Sequence, residues 1–330
     1  MLFSFIIPVY NRPEEIEDLL QSLIKQTVKN FEVIVVEDGS SLTSENVCTQ
    51  YSNQLDLKYF YKENSGPGDS RNYGMKRAKG DYFIILDSDC LLPPHYLKTV
   101  NTFLNNTFYH CFGGADAAQE NFTPLQKAIN YVMTSFLTTG GIRGSKISIN
   151  RFEPRSFNMG ISKEAFEKTG GFAKIHPGED PDLSQRIQKA GYTTTFLPNA
   201  FVYHKRRISW KQFYRQVKKF GLVRPILNKW HPTSAKITFW FPTLFVLFTV
   251  VSIVLAIFSD VYFVLPLLIY LLLILIDSSI KNKSIIVGLL SVIAVFIQFF
   301  GYGLAFLRST FFINFLKKDP EKQFPFLFFS

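Results

Sequence analysis

Three apolar stretches follow one another beyond Lys236: Ile237–Phe258, Val261–Ile276 and Ile285–Leu307. As helices, the first and third would each run about 33 Å, enough for a bilayer core. The second reaches about 20 residues only by taking in Asp277 and two serines, so it is expected to tilt or to end at the interface. A buried hairpin in a water-soluble protein is the alternative, but three stretches in succession favour membrane insertion. The expected division is a folded domain over 1–220, a basic juxtamembrane segment over 221–236, helices over 237–316 (near 237–258, 261–280 and 285–307) and a tail over 317–330.

Charge supports that division. The formal net charge is +10, and ten Lys and Arg side chains lie between Ala200 and Lys236 with no Asp or Glu among them. Basic residues flanking a span mark the cytoplasmic side and attract anionic lipid headgroups, at about 1 kcal/mol each near the surface. A basic patch also suits nucleic acid, but its place directly before a span favours lipid, and no nucleic-acid partner is expected. Lys281 and Lys283 fit a cytoplasmic loop, whereas Lys317 and Lys318 do not fit a simple three-span count. Met1–Val9 is too short and lacks the basic lead of a cleavable signal, so it reads as a first strand. Cys48, Cys90 and Cys111 show no metal-like spacing and suit a reducing cytosol.

The first half alternates strand and helix patterns. Phe3–Pro8, Phe31–Val36, Leu57–Tyr61 and Tyr82–Leu86 read as strands, with Pro13–Gln26 and Asp69–Ala78 as helices. Such alternation predicts βαβ units and a mostly parallel sheet. In open sheets of this kind ligands sit outside the carboxyl ends of the strands, so Tyr10, Asp38 and Asp87 are expected to converge on one crevice.

Asp87-Ser88-Asp89 directly follows the apolar run Tyr82–Leu86. Two carboxylates one residue apart at a strand end crowd negative charge, which a cation would offset. Hard oxygen ligands favour Mg²⁺ or Mn²⁺, completed by phosphate oxygens and water. A solvated turn is the bland alternative. Tyr10 could stack on a nucleobase or pack on the sheet; Asp38 could accept from a base N–H or ribose hydroxyl, or serve the turn at Gly39-Ser40. The Gly-rich loop Asn64–Asn72 enters a helix, where its amides could meet a phosphate, but it is neither a Walker A loop nor a dinucleotide fingerprint. Glu179 and Asp180 open a helix, where carboxylates either cap or act as a general base. His204 ends a strand-like stretch, Phe196–Tyr203, as a structural residue or a metal ligand.

In combination these pieces resemble the family 2 glycosyltransferases. The motifs are Ile7-Pro8-Val9-Tyr10-Asn11, Val35-Val36-Glu37-Asp38-Gly39-Ser40, Gly68-Asp69-Ser70-Arg71-Asn72, Asp87-Ser88-Asp89 and Phe157-Asn158-Met159-Gly160. Gly170-Gly171-Phe172, Gly178-Glu179-Asp180-Pro181-Asp182-Leu183 and Val202-Tyr203-His204 complete the series, which covers about residues 3–220. The resemblance implies an α/β GT-A nucleotide-diphospho-sugar transferase fold, followed here by the helical membrane region. It implies that Pro8, Tyr10, Asp38, Arg71 and Asp87 bind the nucleotide sugar. Asp87, Asp89 and His204 would hold a divalent cation, Mg²⁺ or Mn²⁺. Asp180 would be the base of an inverting transfer supported by Glu179, with Asn158, Gln212 and Arg215 in the acceptor and diphosphate region.

One departure narrows the activity. Processive synthases of this family carry Gln-x-x-Arg-Trp after the base motif, whereas here Gln212-Phe213-Tyr214-Arg215 is followed by Gln216. The missing Trp and the lack of spans before the catalytic domain argue against a polymer-extruding channel. The expectation is a multi-pass inner-membrane enzyme with a cytoplasmic catalytic domain. It would move a sugar from a nucleotide sugar, most simply a UDP-sugar, to a lipid-linked or cell-envelope saccharide. Direct transfer to polyprenyl phosphate is the alternative within the class. A catalytically inactive scaffold binding nucleotide sugar or lipid is the alternative outside it.

Overall fold

The structure, a computed structural model, describes residues 1–117, 122–140, 152–204 and 209–329. Strand β1 (Phe3–Val9) leads into α1 (Pro13–Ile24), β2 (Phe31–Asp38), α2 (Glu45–Tyr51) and β3 (Leu57–Lys62). Next come α3 (Pro67–Arg77), β4 (Tyr82–Leu86), the short β5 (Cys90–Leu91), α4 (Tyr96–Asn106) and β6 (Cys111–Ala117). Helices α5 (Pro124–Thr134) and α6 (Phe136–Thr139) precede β7 (Asn158–Ser162), α7 (Lys163–Thr169), α8 (Glu179–Lys189) and β8 (Thr194–His204). After α9 (Trp210–Trp230) come the apolar helices α10 (Phe241–Phe258), α11 (Leu265–Asn282) and α12 (Ile285–Thr310).

The chain forms two compact units. The first holds the described residues 1–117, 152–204 and 328–329; the second holds 122–140 and 209–327.

In the first unit one sheet runs in the order β3-β2-β1-β4-β7-β6-β8-β5. Strands β3, β2, β1 and β4 are parallel, β7 is antiparallel to both β4 and β6, and β6 runs parallel to β8. The apolar runs of β1, β2 and β4 are long because both faces of these strands are covered. Phe5 and Ile7 point with Val33, Val35 and Ile84 into a core closed by Ile16, Leu19, Leu20 and Leu23 of α1. Ile6, Ile34, Val36, Phe83 and Ile85 face the other way, onto Met75 of α3 and Leu183 and Ile187 of α8. Pro13 at the start of α1 and acidic Glu14 and Glu15 in its first turn favour that helix.

Strand β1 is where the chain order reverses, with β2 on one side and β4 on the other. Its pairing with β4 stops at Ile6–Ile85, while pairing with β2 continues to Val9–Glu37. Beyond Ile6 the β4-side edge of β1 is unpaired, which admits Pro8 in an otherwise central strand. This opening is a topological switch point.

In the second unit α5, closed by a capping box of Thr123 and Gln126, packs Ile129 and Val132 against Phe213, Ile274, Ala294 and Val295. Among the described residues three helical segments are long and apolar enough to cross a membrane: Ile237–Phe258, Val261–Asn282 and Ile285–Phe315. The second continues through Asp277, whose carboxylate accepts from Tyr131 Oη at 2.6 Å and Lys281 Nζ at 2.8 Å. Leu247, Val251, Ile253, Leu268, Leu272 and Ile286 are exposed, an outer surface suited to lipid.

Candidate active site

Loops at the carboxyl ends of β1, β2 and β4 are tied to one another by side chains. Tyr10 follows β1 and is 53% exposed, so its ring is available to stack. Asn11 adopts a left-handed backbone, φ 54°, which Asn tolerates better than most residues. Its Oδ1 accepts from Ser41 N at 2.9 Å and Leu42 N at 3.0 Å, fastening the loop after β2 to the end of β1. Glu37 is buried and shapes the same loop, accepting from Ser40, from Ser44 N at 2.8 Å and from Tyr59 Oη at 3.2 Å.

Asp38 is nearly buried and fixes the entry to α3. Its Oδ1 accepts from Lys62 Nζ at 2.9 Å and Ser65 N at 3.0 Å, and its Oδ2 accepts from Gly66 N at 3.0 Å. That leaves Oδ2 room for one further donor. Lys62 also donates to Ser65 Oγ and to the Glu63 carbonyl, so the lysine and the two amides set the shape of the Gly-rich loop.

Arg71, on α3, is the hub. It is buried, donating through Nη2 to Asp87 Oδ1 at 2.9 Å and through Nη1 to Glu179 Oε1 at 3.3 Å. Its guanidinium carbon lies 5.3 Å from the Phe172 ring centre, and its buried Nε has no hydrogen-bond partner among the described residues. Burial opposes the charge, but Asp87, Glu179 and Asp180 together outweigh it and raise the Arg71 pKa. Asn72 beside it exchanges two bonds with Phe172, Nδ2 to the carbonyl and backbone N to Oδ1, each 2.8 Å. The preceding Gly171 has φ 76°, and a Cβ there would fall 2.2 Å from Asn72 Oδ1, which explains the glycine.

The two carboxylates after β4 are each met by an arginine. Asp87 pairs with Arg71, and Asp89 Oδ2 accepts from Arg12 Nη1 at 2.9 Å. The crowding of negative charge is thus offset within the protein. Asp87 keeps a third of its side chain exposed, 34%. Among the described residues no three His, Cys, Asp or Glu side chains form a metal-binding group. Two neighbouring carboxylates fit a hard cation that takes its remaining ligands from a diphosphate and water, as Mg²⁺ usually does. The backbone of His204 ends β8, paired with Cys90, but its side chain lies outside the described residues.

At the start of α8 the neighbours Glu179 and Asp180 differ sharply. Burial alone would raise the Glu179 pKa; a 2.9 Å contact with His176 Nδ1 and the charges of His176 and Arg71 instead bring it down to about 2. Burial and the Glu179 charge raise Asp180 to about 6, against the pull of Arg71 and Arg155. Asp180 Oδ2 accepts only a long bond from Ser156 N, 3.2 Å, and its buried Oδ1 has no partner among the described residues. Two adjacent carboxylates held in opposite proton affinities are an arrangement that can serve acid–base chemistry. Among the described residues no side chain caps the start of α8; Asp182 instead pairs with Arg186, accepting from it at 2.6 and 2.9 Å.

The remaining expected residues lie apart. Asn158 is fully buried, accepting from Tyr96 Oη at 2.6 Å and donating to the carbonyls of Ala115 and Ala200 at 3.1 and 2.9 Å. Both amide hydrogens and one lone pair of its oxygen brace the sheet. Gln212 and Arg215 are exposed on α9 in the second unit, and Gln212 caps that helix with Ser209. Arg12, Lys62 and His176 carry parts of the site that no motif or spacing singled out; each acts through a partner brought near by the fold or by a turn.

A switch-point crevice with paired carboxylates on one side and a proton-poised carboxylate on the other defines the class of nucleotide-diphospho-sugar transferases. Residues 4–170 match the Glycosyl transferase family 2 profile, and the chain belongs to that family. It is 40% identical over 192 residues to an uncharacterized glycosyltransferase of Rickettsia bellii, 56% of this chain but 27% of the relative. A Haemophilus influenzae glycosyltransferase, also uncharacterized, is 30% identical over 221 residues, 63% of this chain and 70% of the relative. Staphylococcus aureus TarS, a poly(ribitol-phosphate) beta-N-acetylglucosaminyltransferase, is 38% identical over 109 residues, 32% of this chain and 19% of the relative. The chain thus spans well under a third of two of these relatives. Among solved structures, the fold is shared with Pyrobaculum calidifontis mannosyltransferase PcManGT in complex with GDP-Man and Mn²⁺. That likeness has a TM-score of 0.56 at 16% identity, over 96% of this chain and 88% of that one. S. aureus TarS aligns with a TM-score of 0.50 at 22% identity, over 73% of this chain and 45% of that one. The chain carries a family 2 glycosyltransferase domain with a GT-A fold.

Proposed function

We propose that this glycosyltransferase is membrane-anchored and inverting, moving a sugar from a UDP-sugar to a hydroxyl of a lipid-linked or cell-envelope saccharide. Asp180 carries the reading. Its buried, unpartnered Oδ1 and its pKa near 6 suit a base that takes the proton of an attacking hydroxyl. Glu179 stays ionised, keeps Asp180 basic and orients Arg71. Arg71 in turn reaches Asp87, so the diphosphate end and Glu179, the neighbour of the base, are held by one fork. Tyr10 stacks on the donor base, and the free position on Asp38 Oδ2 accepts from it. Asp87 and Asp89 would hold Mg²⁺ or Mn²⁺ against the diphosphate, where the ion would offset charge on the leaving nucleoside diphosphate.

The membrane reading rests on the three apolar helices and the basic α9, whose Lys211, Arg215 and Lys218 are exposed. The basic α9 and the Lys281–Lys283 loop, both suited to anionic headgroups, support a cytoplasmic catalytic unit. The division into 1–220, 221–236, 237–316 and 317–330 is proposed on the same ground, although 122–140 and 209–220 pack within the second unit.

Membranes containing the protein, incubated with labelled UDP-sugar and either a lipid-linked saccharide or polyprenyl phosphate, test this. Label moving onto the saccharide, and lost in Asp180→Asn, supports the reading. Label on polyprenyl phosphate alone, or equal transfer by Asp180→Asn, contradicts it.

A further inference from the structure

Chain leaves the first unit before residue 209 and re-enters it at Phe328. There Phe328 forms an antiparallel bridge with Ile175, and Phe329 N donates to the Lys174 carbonyl at 3.1 Å. The Phe329 ring lies against Gly66, where a Cβ would fall 2.3 Å from ring Cδ2. The same ring meets the His176 imidazole, centroids 6.0 Å apart and planes inclined at 54°.

Both neighbours are one hydrogen bond from the site. Gly66 N donates to Asp38 Oδ2 at 3.0 Å, and His176 Nδ1 lies 2.9 Å from Glu179 Oε1. Gly66 has φ 90° and is the residue before the first turn of α3, so its backbone has more conformations to lose than any other residue would. A half-buried aromatic ring on that glycine removes much of this freedom at the cost of only two side-chain torsions.

We propose that Phe329 is a positioning residue for the donor site, clamping the Gly66 turn so that the Ser65 and Gly66 amides keep Asp38 aimed at the nucleotide. The nucleotide part of this rests on the function proposed above; the clamp itself does not.

The test uses the full chain in detergent, comparing wild type with Phe329→Ala, Phe329→Leu and Phe329→Tyr. Hydrogen exchange at the Ser65 and Gly66 amides reads the clamp, and calorimetric titration with UDP and GDP reads the donor site. In Phe329→Ala, exchange at both amides should quicken and the nucleotide Kd should rise, each on the order of tenfold. In steady-state assays donor KM should rise with kcat kept within about twofold. Phe329→Leu should fall between, and Phe329→Tyr should restore wild-type values; if the alanine variant does not fold, the leucine variant carries the comparison. Exchange and Kd unchanged in Phe329→Ala, a lowered Kd, which would mean an obstructing ring, or no rescue by tyrosine would each overturn the proposal. Wild-type protein that binds no nucleotide would count against the function while the exchange measurement still decides the clamp.

Discussion

Arg71 Nη2 lies 2.9 Å from Asp87 Oδ1, and this contact joins the strand-end carboxylates to the Glu179–Asp180 pair on α8. A guanidinium can hold both partners at once because its donors form a planar fork. Lysine offers a point charge on a flexible stem. Arg71→Lys should therefore lower kcat/KM on the order of a hundredfold, close to the loss in Arg71→Ala. Steady-state kinetics of the two variants check it; near-wild-type activity in the lysine variant would assign Arg71 a purely charge-balancing part.

The base role proposed for Asp180 predicts an acid limb in the pH–rate profile. Its carboxylate works as a base only when ionised, so with a pKa of about 6 the rate should fall about tenfold per pH unit below that value and level off above it. Removing the neighbouring charge with Glu179→Gln should move the limb to lower pH, since Arg71 then acts on Asp180 unopposed. An unmoved limb would dissociate the two carboxylates. Stability runs the other way: a carboxyl that holds its proton more tightly when folded contributes at low pH, and the contribution fades as pH rises through about 6.

Much of this arrangement is legible in sequence because it is local. The β-branched and aromatic run Tyr82–Leu86 forms the strand expected of it, and Asp87 falls at its end because no further apolar residue continues the strand. Arg12 and Asp89 are 77 residues apart, and Arg71 and Glu179 are 108 apart. No periodicity encodes such pairs; they exist only once the sheet order places β1 beside β4 and α3 beside α8. Asn158 shows the reverse limit. Its place in a motif suggested a ligand contact, yet the fold spends its amide on Tyr96 and two carbonyls. The helices at Pro124–Thr139 carry an amphipathic pattern that says nothing about which unit they join.

Chelation should abolish turnover, and added Mg²⁺ or Mn²⁺ should restore it. Asp89→Asn should raise the metal concentration needed by about tenfold or more. Electron paramagnetic resonance of Mn²⁺ with UDP present reads the same loss without turnover. Full activity after exhaustive chelation would remove the cation from Asp87 and Asp89.

Asn72 should matter for stability and only indirectly for chemistry. Its two 2.8 Å bonds hold the Phe172 turn beneath Arg71. Asn72→Ala leaves a backbone N–H and carbonyl without those partners and should cost about 1–3 kcal/mol. Thermal unfolding of the full chain in detergent measures it; an unchanged midpoint would mean that water replaces the amide at no cost.

The most direct measurement is the anomeric configuration of the transferred sugar, determined by NMR on product made from a UDP-sugar of known anomer. A single displacement with Asp180 as base gives the opposite anomer, with one UDP released per sugar transferred. Retained configuration, or no UDP release from any nucleotide sugar, would contradict the role assigned to Asp180 and the diphosphate site built around Arg71.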